Sequence, residues 1–343
     1  MLEWLGTELP VIQAPMAGVQ LGALALAVSN AGGLGSLPCA MLSADALRRE
    51  LDALRAGTQR PFNLNFFCHH PPPPDAERER AWRVALAPYY REFGLAEDAA
   101  VPAASRAPFD ATTADVVEAY RPAVISFHFG LPSAELVARV KSWGTKIFAS
   151  ATTVEEARWL EAHGADAIIA QGLEAGGHRG QFLSPDLTRQ SGTFALLPQI
   201  VRAVGVPVIA AGGIADARTT AAALALGASA VQAGTAYLLC AEATTSAAHR
   251  TALASEDAAH TALTNLFSGG PARGIVNRLM RELGPIGTQV PAFPLASAAL
   301  APLRAAAERR GSGDFSPLWA GQNASGCRAM PAARLTRRLA GFA

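Results

Sequence analysis

His178 stands in the run Gln171-Gly172-Leu173-Glu174-Ala175-Gly176-Gly177-His178-Arg179-Gly180, where flanking glycines give an imidazole reach. Imidazole exchanges a proton near neutral pH, so His178 is the candidate catalytic residue of this chain. A surface histidine on a flexible loop is the plain alternative. The other histidines suggest less. His128, in Ser126-Phe127-His128-Phe129-Gly130, reads as an orienting or packing group, and His163, His249 and His260 fall on helix-like stretches that need no special role. His69–His70 precedes Pro71–Pro74, a loop with too few further ligands for a metal, and no metal site is expected.

Gly212–Gly213 and Gly234–Thr235 offer no bulky side chain to block an approaching anion, and Thr235 adds a hydroxyl donor. Backbone N–H groups in such turns bind phosphate, although ligand-free β-to-α turns have the same composition. Asn65, Gln171 and Gln232 can donate to and accept from the pyrimidine edge of a flavin without adding charge. Around Ala14, Pro15 and Met16 the run Gln13–Gly18 is small enough for a flat ligand to approach the backbone. Other cofactor chemistries fit less well. Lys146 has no companion motif for a Schiff base, and Glu174 and Asp216 stand alone, without a second carboxylate for metal-assisted enolate chemistry. A phosphate-bearing flavin is the expectation.

Such groups need a scaffold that gathers them. Short apolar runs bounded by Gly or Pro recur as buried parallel strands do. They lie near Val11–Ala14, Leu34–Ser36, Phe62–Phe66, Ala123–Phe127, Lys146–Ala149, Ala167–Ala170, Val206–Ala210 and Ala230–Ala233. Helical patterns alternate with them, at Leu21–Ser29, Ser43–Arg55, Thr113–Ala119, Ser133–Ser142, Val154–His163, Thr193–Val204 and Ala217–Leu226. Ser43 and Thr152–Thr153 stand in capping positions. Eight strands with intervening helices predict an α/β fold, a (β/α)8 TIM barrel, with its site at the C-terminal strand ends. An open dinucleotide-binding sheet is disfavoured, because Ala31-Gly32-Gly33-Leu34-Gly35 leads into a strand instead of following one. The barrel is expected in residues 1–70 and 112–236, with an insert at 71–111 and an extension, 237–343, covering the substrate side of the mouth.

Composition narrows the partners. The 343 residues are 50% hydrophobic and 17% charged, with a formal net charge of +1 and no Lys/Arg-rich run. Nucleic acid and anionic membrane surfaces are therefore not expected as partners. Leu9–Ala44 carries no charge, but Pro10, Pro15, Gly18 and Gly22 break it as a spanning segment. Met1–Pro10 lacks a basic leader, and Cys39, Cys68, Cys240 and Cys327 are far apart with no C-x-x-C pair. A cytoplasmic protein with free thiols is expected.

Taken in order, these motifs resemble the nitronate monooxygenases, formerly called 2-nitropropane dioxygenases. The carriers are Gln13–Gly18, Asn30–Gly35, Asn63–Asn65, Ser126–Gly130, Ala149–Val154, Ala170–His178, Ala210–Ile214 and Gln232–Thr235, with Leu318–Gln322 extending the likeness into the tail. The resemblance implies an FMN-dependent TIM barrel that oxidises alkyl nitronates, such as propionate 3-nitronate, with O2. Products would be a carbonyl compound and nitrite, formed by one-electron transfer to flavin without consumption of NAD(P)H. By position it implies that Asn65, Gln171, Gly176, Gly177, Gly213 and Gln232-Ala233-Gly234-Thr235 hold FMN, and that His178 is a base or orients the substrate. An NAD(P)H-dependent flavin reductase of enoyl thioesters or quinones has a similar Ala-Gly-Gly-His segment and is the alternative. A flavin-binding barrel without turnover is a third. The tail departs from the family's pattern, in which tyrosines and a lysine reach the mouth. Here no tyrosine follows Tyr237 and no lysine follows Lys146; Phe315, Trp319 and Arg328 are what the tail offers.

Overall fold

The computed structural model describes residues 2–96 and 106–342; the centre of the expected insert, residues 97–105, lies outside the described residues. Among the described residues, eight parallel strands build a barrel. They are β1 (Val11–Gln13), β2 (Gly35–Pro38), β3 (Phe62–Phe67), β4 (Val124–His128), β5 (Lys146–Ala151), β6 (Ala167–Gln171), β8 (Val208–Ala211) and β9 (Ala230–Ala233). The short β7 (Gly177–His178) pairs instead with β11 (Ala272–Ile275), itself antiparallel to β10 (Thr261–Thr264). The sequence pattern did not reveal this second sheet; its β7, with two residues, has no periodicity to read. Barrel strands match expectation to within two residues; β8 starts at Val208 rather than Val206, past Pro207, which has no N–H to give a ladder.

Alternation sorts each strand between two apolar layers. Ile12, Leu34, Val124, Phe148, Ala167, Ile169, Ile209 and Ala230 fill the barrel interior. Val11, Ala149, Ile168, Ala170, Val208, Ala210 and Val231 point the other way and pack in the layer shared with the helices. Capping follows the sequence: Ser43 Oγ accepts from the Ala46 N–H at 3.3 Å, and Thr153 Oγ1 from the Glu156 N–H at 3.2 Å.

Closure between β1 and β2 is sparse, thinning to the bridge Ile12↔Leu34. Leu34 N–H donates to Val11 O at 2.9 Å and Gln13 N–H to Leu34 O at 3.0 Å. Buried amides do the rest. Gln13 Oε1 accepts from the Ser36 N–H at 2.9 Å, and Gln20 Nε2 donates to Ser36 O at 2.6 Å. Leaving either Ser36 group unmet in this interior would cost about 1–3 kcal/mol.

The tail differs from expectation. After β9 the chain makes a long excursion, then returns as the helix Ala332–Leu339, packed against the helices Gly22–Asn30 and Ala217–Ala225. That is the place of the eighth outer helix. Leu335 and Leu339 are buried in the barrel's helix-facing layer, and Tyr237 Oη lies 2.9 Å from Thr336 Oγ1. Part of the region expected to be a cover is thus barrel wall. The insert contributes the helix Ala76–Glu92, which packs on Ala296–Arg309. Trp82 Nε1 donates to Ala296 O at 3.3 Å and Tyr90 Oη to Ala299 O at 2.7 Å. Among the described residues, no helix is long and apolar enough to cross a membrane.

Truncating a buried leucine of the returning helix tests its place in the barrel. Leu335→Ala should lower unfolding free energy by about 2–5 kcal/mol in urea titration, the cost of a core cavity. A loss below about 1 kcal/mol would show that this helix is only an appendage.

Candidate active site

At the C-terminal strand ends, the side chains and turns that follow β1, β3, β4, β6, β8 and β9 converge on one cleft. Ala14, Pro15, Met16, Asn65, Gln171, Gly176, Gly177, His178, Gly212, Gly213, Gln232, Gly234 and Thr235 line it. Ala233 does not. Alternation along β9 turns Gln232 to the cleft and Ala233, 1% exposed, into the helix-facing layer.

One wall is backbone. Gly212 and Gly213 have φ of +116° and +75°, a region that side chains disfavour. At Gly176 a Cβ would stand 2.5 Å from the Gly321 nitrogen, so only glycine permits the tail to lie there. The tail is stitched to this wall: Gly321 N–H donates to Thr235 Oγ1 at 2.9 Å, and Asn323 Nδ2 donates to Gly213 O at 3.0 Å. Glu174 caps the helix Thr193–Ala203, accepting from the Thr193 N–H at 2.8 Å and hydroxyl at 2.9 Å. It forms no bridge to Arg179. That buried guanidinium donates instead to Gln190 Oε1, Gly172 O and Gln171 O, each at 2.8 Å. Burial pulls its pKa down to about 10.

The three amides differ in what they leave for a ligand. Gln171 is used at both ends, Nε2 donating to His178 O at 2.9 Å and Oε1 accepting from the Gly180 N–H at 2.8 Å. Asn65 Nδ2 donates to Ser126 Oγ at 3.0 Å. Gln232 Oε1 is buried in the cleft wall without a partner among the described residues. A buried acceptor left unmet is costly, so this atom calls for a ligand donor.

His178 sits on β7, where Ala272 of β11 pairs with it. Its Nε2 is 2.8 Å from Ser268 Oγ, and its ring packs 5.0 Å from Phe293 and 5.5 Å from Trp319 between ring centroids. Burial first, then the Arg106, His128 and His69 charges, hold its pKa well below the ordinary histidine value. At neutral pH the imidazole is uncharged. His128 Nε2 donates to His178 O at 3.2 Å, while its Nδ1 lies 3.0 Å from Ser150 Oγ. Burial lowers the His128 pKa to about 4.

Sequence reasoning missed several lining residues. Arg106 enters from the insert and His249 from the excursion, with no motif around either to mark it. His249, which the sequence gave no role, is buried with Nε2 unpartnered among the described residues. Of the tail residues named above, Trp319 reaches the cleft. Phe315 is buried below it against Tyr89 and Phe93, and exposed Arg328 borders a different hollow beside the returning helix.

Comparison with known proteins agrees with this geometry. The family model described as Nitronate monooxygenase matches residues 1–340. A nitronate monooxygenase of Pseudomonas aeruginosa is 45% identical, with 98% of this chain and 96% of that protein covered. One from Paraburkholderia phytofirmans is 44% identical, covering 99% and 93%. The crystal structure of nitroalkane oxidase from Streptomyces ansochromogenes superposes with a TM-score of 0.89 at 41% identity, over 98% of this chain and 95% of that one. Barrel, cleft and relatives together show that the chain is an oxidoreductase belonging to the nitronate monooxygenase family.

Proposed function

We propose that the cleft holds FMN and oxidises alkyl nitronates, such as propionate 3-nitronate, with O2, releasing a carbonyl compound and nitrite by one-electron steps. The observation that carries this reading is the unpartnered Gln232 Oε1 beside the glycine wall. A flavin ring N–H would meet that oxygen, and a phosphate would meet the turns at Gly176, Gly212–Gly213 and Gly234–Thr235. When bound, FMN supplies the one-electron acceptor that no side chain provides. Ala14, Pro15, Met16, Asn65, Gln171 and Gly177 complete its proposed surroundings. The insert and residues 237–331 are the proposed cover, and the cytoplasm is the proposed compartment, supported by four free thiols.

Within this reading His178 acts as a neutral imidazole. It can orient a nitronate oxygen through a ring N–H or take the α-proton of a nitroalkane through its free nitrogen, whichever substrate form arrives. Phe67, Phe129, Phe293 and Trp319 surround it with ring edges and limit water at the reacting carbon. His128 and Gln171 position it through its own carbonyl.

The purified protein should be yellow, release FMN identifiable by mass, and consume O2 with propionate 3-nitronate. Anaerobic mixing separates the alternative: rapid bleaching by NADH or NADPH, with no oxygen use on nitronate, would make the protein a nicotinamide-dependent flavin reductase. Gly213→Val forces a branched side chain into positive φ at the phosphate turn and should strip most of the flavin. Full cofactor occupancy in that variant removes the phosphate assignment. His178→Ala should keep the flavin spectrum and lose about 10²–10⁴-fold in turnover. Because His178 is already neutral, kcat/KM on preformed nitronate should stay flat from about pH 6 to 8 and fall only on the acid side. A loss of activity as pH rises through the ordinary histidine value would mean that the protonated ring takes part, and an acid-side fall centred there would mean that burial does not lower the pKa.

A further inference from the structure

We propose that Arg106 is the specificity-determining residue of the cleft, its guanidinium receiving a carboxylate carried at the end of the substrate remote from the nitronate. The inference rests on the nitronate reading above. It begins with an imbalance among the arginines. Arg139, Arg278 and Arg304 each bind a carboxylate, and buried Arg179 has three acceptors at 2.8 Å. Arg106 has Ser297 Oγ at 3.4 Å and the Phe293 ring at 5.8 Å, and pairs with no carboxylate among the described residues. A largely desolvated guanidinium with so few acceptors is costly unless an anion completes it.

The cleft has no anion of its own to spare. Glu174, the one carboxylate lining it among the described residues, is spent on Thr193. His128 and His249 are held to about 4, and His178 well below its ordinary value, so Arg106 carries the cleft's positive charge. Its charge is felt at both His69 and His178. Its backbone is anchored close by, where Pro108 bridges to Phe67 and Phe109 N–H donates to Phe67 O at 2.8 Å.

Arg106 and His178 both line the cleft, and one ring touches both: Phe293 lies 5.0 Å from the His178 ring and 5.8 Å from the Arg106 guanidinium carbon. A substrate with its nitronate at His178 therefore lies in the same cleft as Arg106 and brings its far end to it. A planar guanidinium reads a carboxylate through two parallel N–H bonds, which a methyl group cannot accept.

Two nitronates of equal chain length test this: propionate 3-nitronate, which has the distal carboxylate, and propyl 1-nitronate, which has a methyl there. In the flavin-loaded protein, Arg106→Gln should raise KM for the carboxylated substrate by about 10- to 100-fold, with kcat little changed. KM for propyl 1-nitronate should hold, and Arg106→Lys should recover part of the loss. The bound-flavin spectrum of each variant checks that it is folded. Equal losses on both substrates, or no loss on either, would overturn the role of Arg106 while wild-type turnover left the nitronate reading intact. Wild-type protein that consumes no O2 with either nitronate would overturn that reading, and the specificity role with it.

Discussion

The carbonyl oxygen of His178 accepts two side-chain hydrogen bonds, from Gln171 at 2.9 Å and from His128 at 3.2 Å. Both donors project from barrel strands, whereas His178 itself belongs to the small sheet above them. The arrangement of the cleft depends on this junction. Two residues of β7 are too few to hold a strand in place by ladder bonds alone, so the barrel supplies the missing restraint. Arg179, next in sequence, reinforces it by donating back to the carbonyls of Gln171 and Gly172. Loop 172–180 is thus fixed from below by the barrel, and β11 fixes it from the side. Loss of either would leave the imidazole able to swing within the cleft.

Electrostatics follow from the same packing. A site for an anionic substrate needs hydrogen-bond donors and low competing negative charge, and it gains from exclusion of water. Aromatic rings around His178 provide the last of these and at the same time disfavour a charged imidazole. Burial therefore selects the neutral ring, and positive charge is delegated to an arginine, whose much higher pKa survives desolvation. Division of labour between a neutral histidine and a distant guanidinium is what a low-dielectric cleft permits without an internal ion pair.

Much of the fold was legible because barrel strands are buried on both faces and announce themselves as apolar runs between glycines and prolines. That the glycine turns and Gln232 would lie at the mouth was legible too, since strand ends are local in sequence. Other parts were not. Arg106 and His249 reach the cleft from regions whose path over the barrel is set by tertiary packing, and neither has neighbours that mark it. Gln171 was visible as an amide, but its bonds to His178 and Gly180 depend on how the following loop folds back. Ala233 read as a site residue because its neighbours lie at the strand end; alternation puts its side chain on the other face while theirs line the cleft.

Return of the tail to the barrel wall constrains how the mouth can change. Helix 332–339 occupies the eighth outer position, so the excursion before it is tethered at both ends to the barrel: at β9 and at that helix. Trp319, Gly321 and Asn323, which line the cleft, lie only a short way before the second tether. Gly321 and Asn323 are also tied to the turns at Thr235 and Gly213, so this segment cannot lift without breaking bonds to the glycine wall. The insert helix is held by its packing on Ala296–Arg309, the bonds of Trp82 and Tyr90, the Glu92–Arg278 ion pair and the rings of Tyr89 and Phe93 against Phe315. The insert helix and helix 296–309 share one apolar cluster with Phe315 and Trp319, so displacing them would also cost packing against the seated 318–323 segment. Pro108 and Phe109 bond to Phe67 of β3, so the chain beside Arg106 is held to the barrel, as His178 is through its own carbonyl.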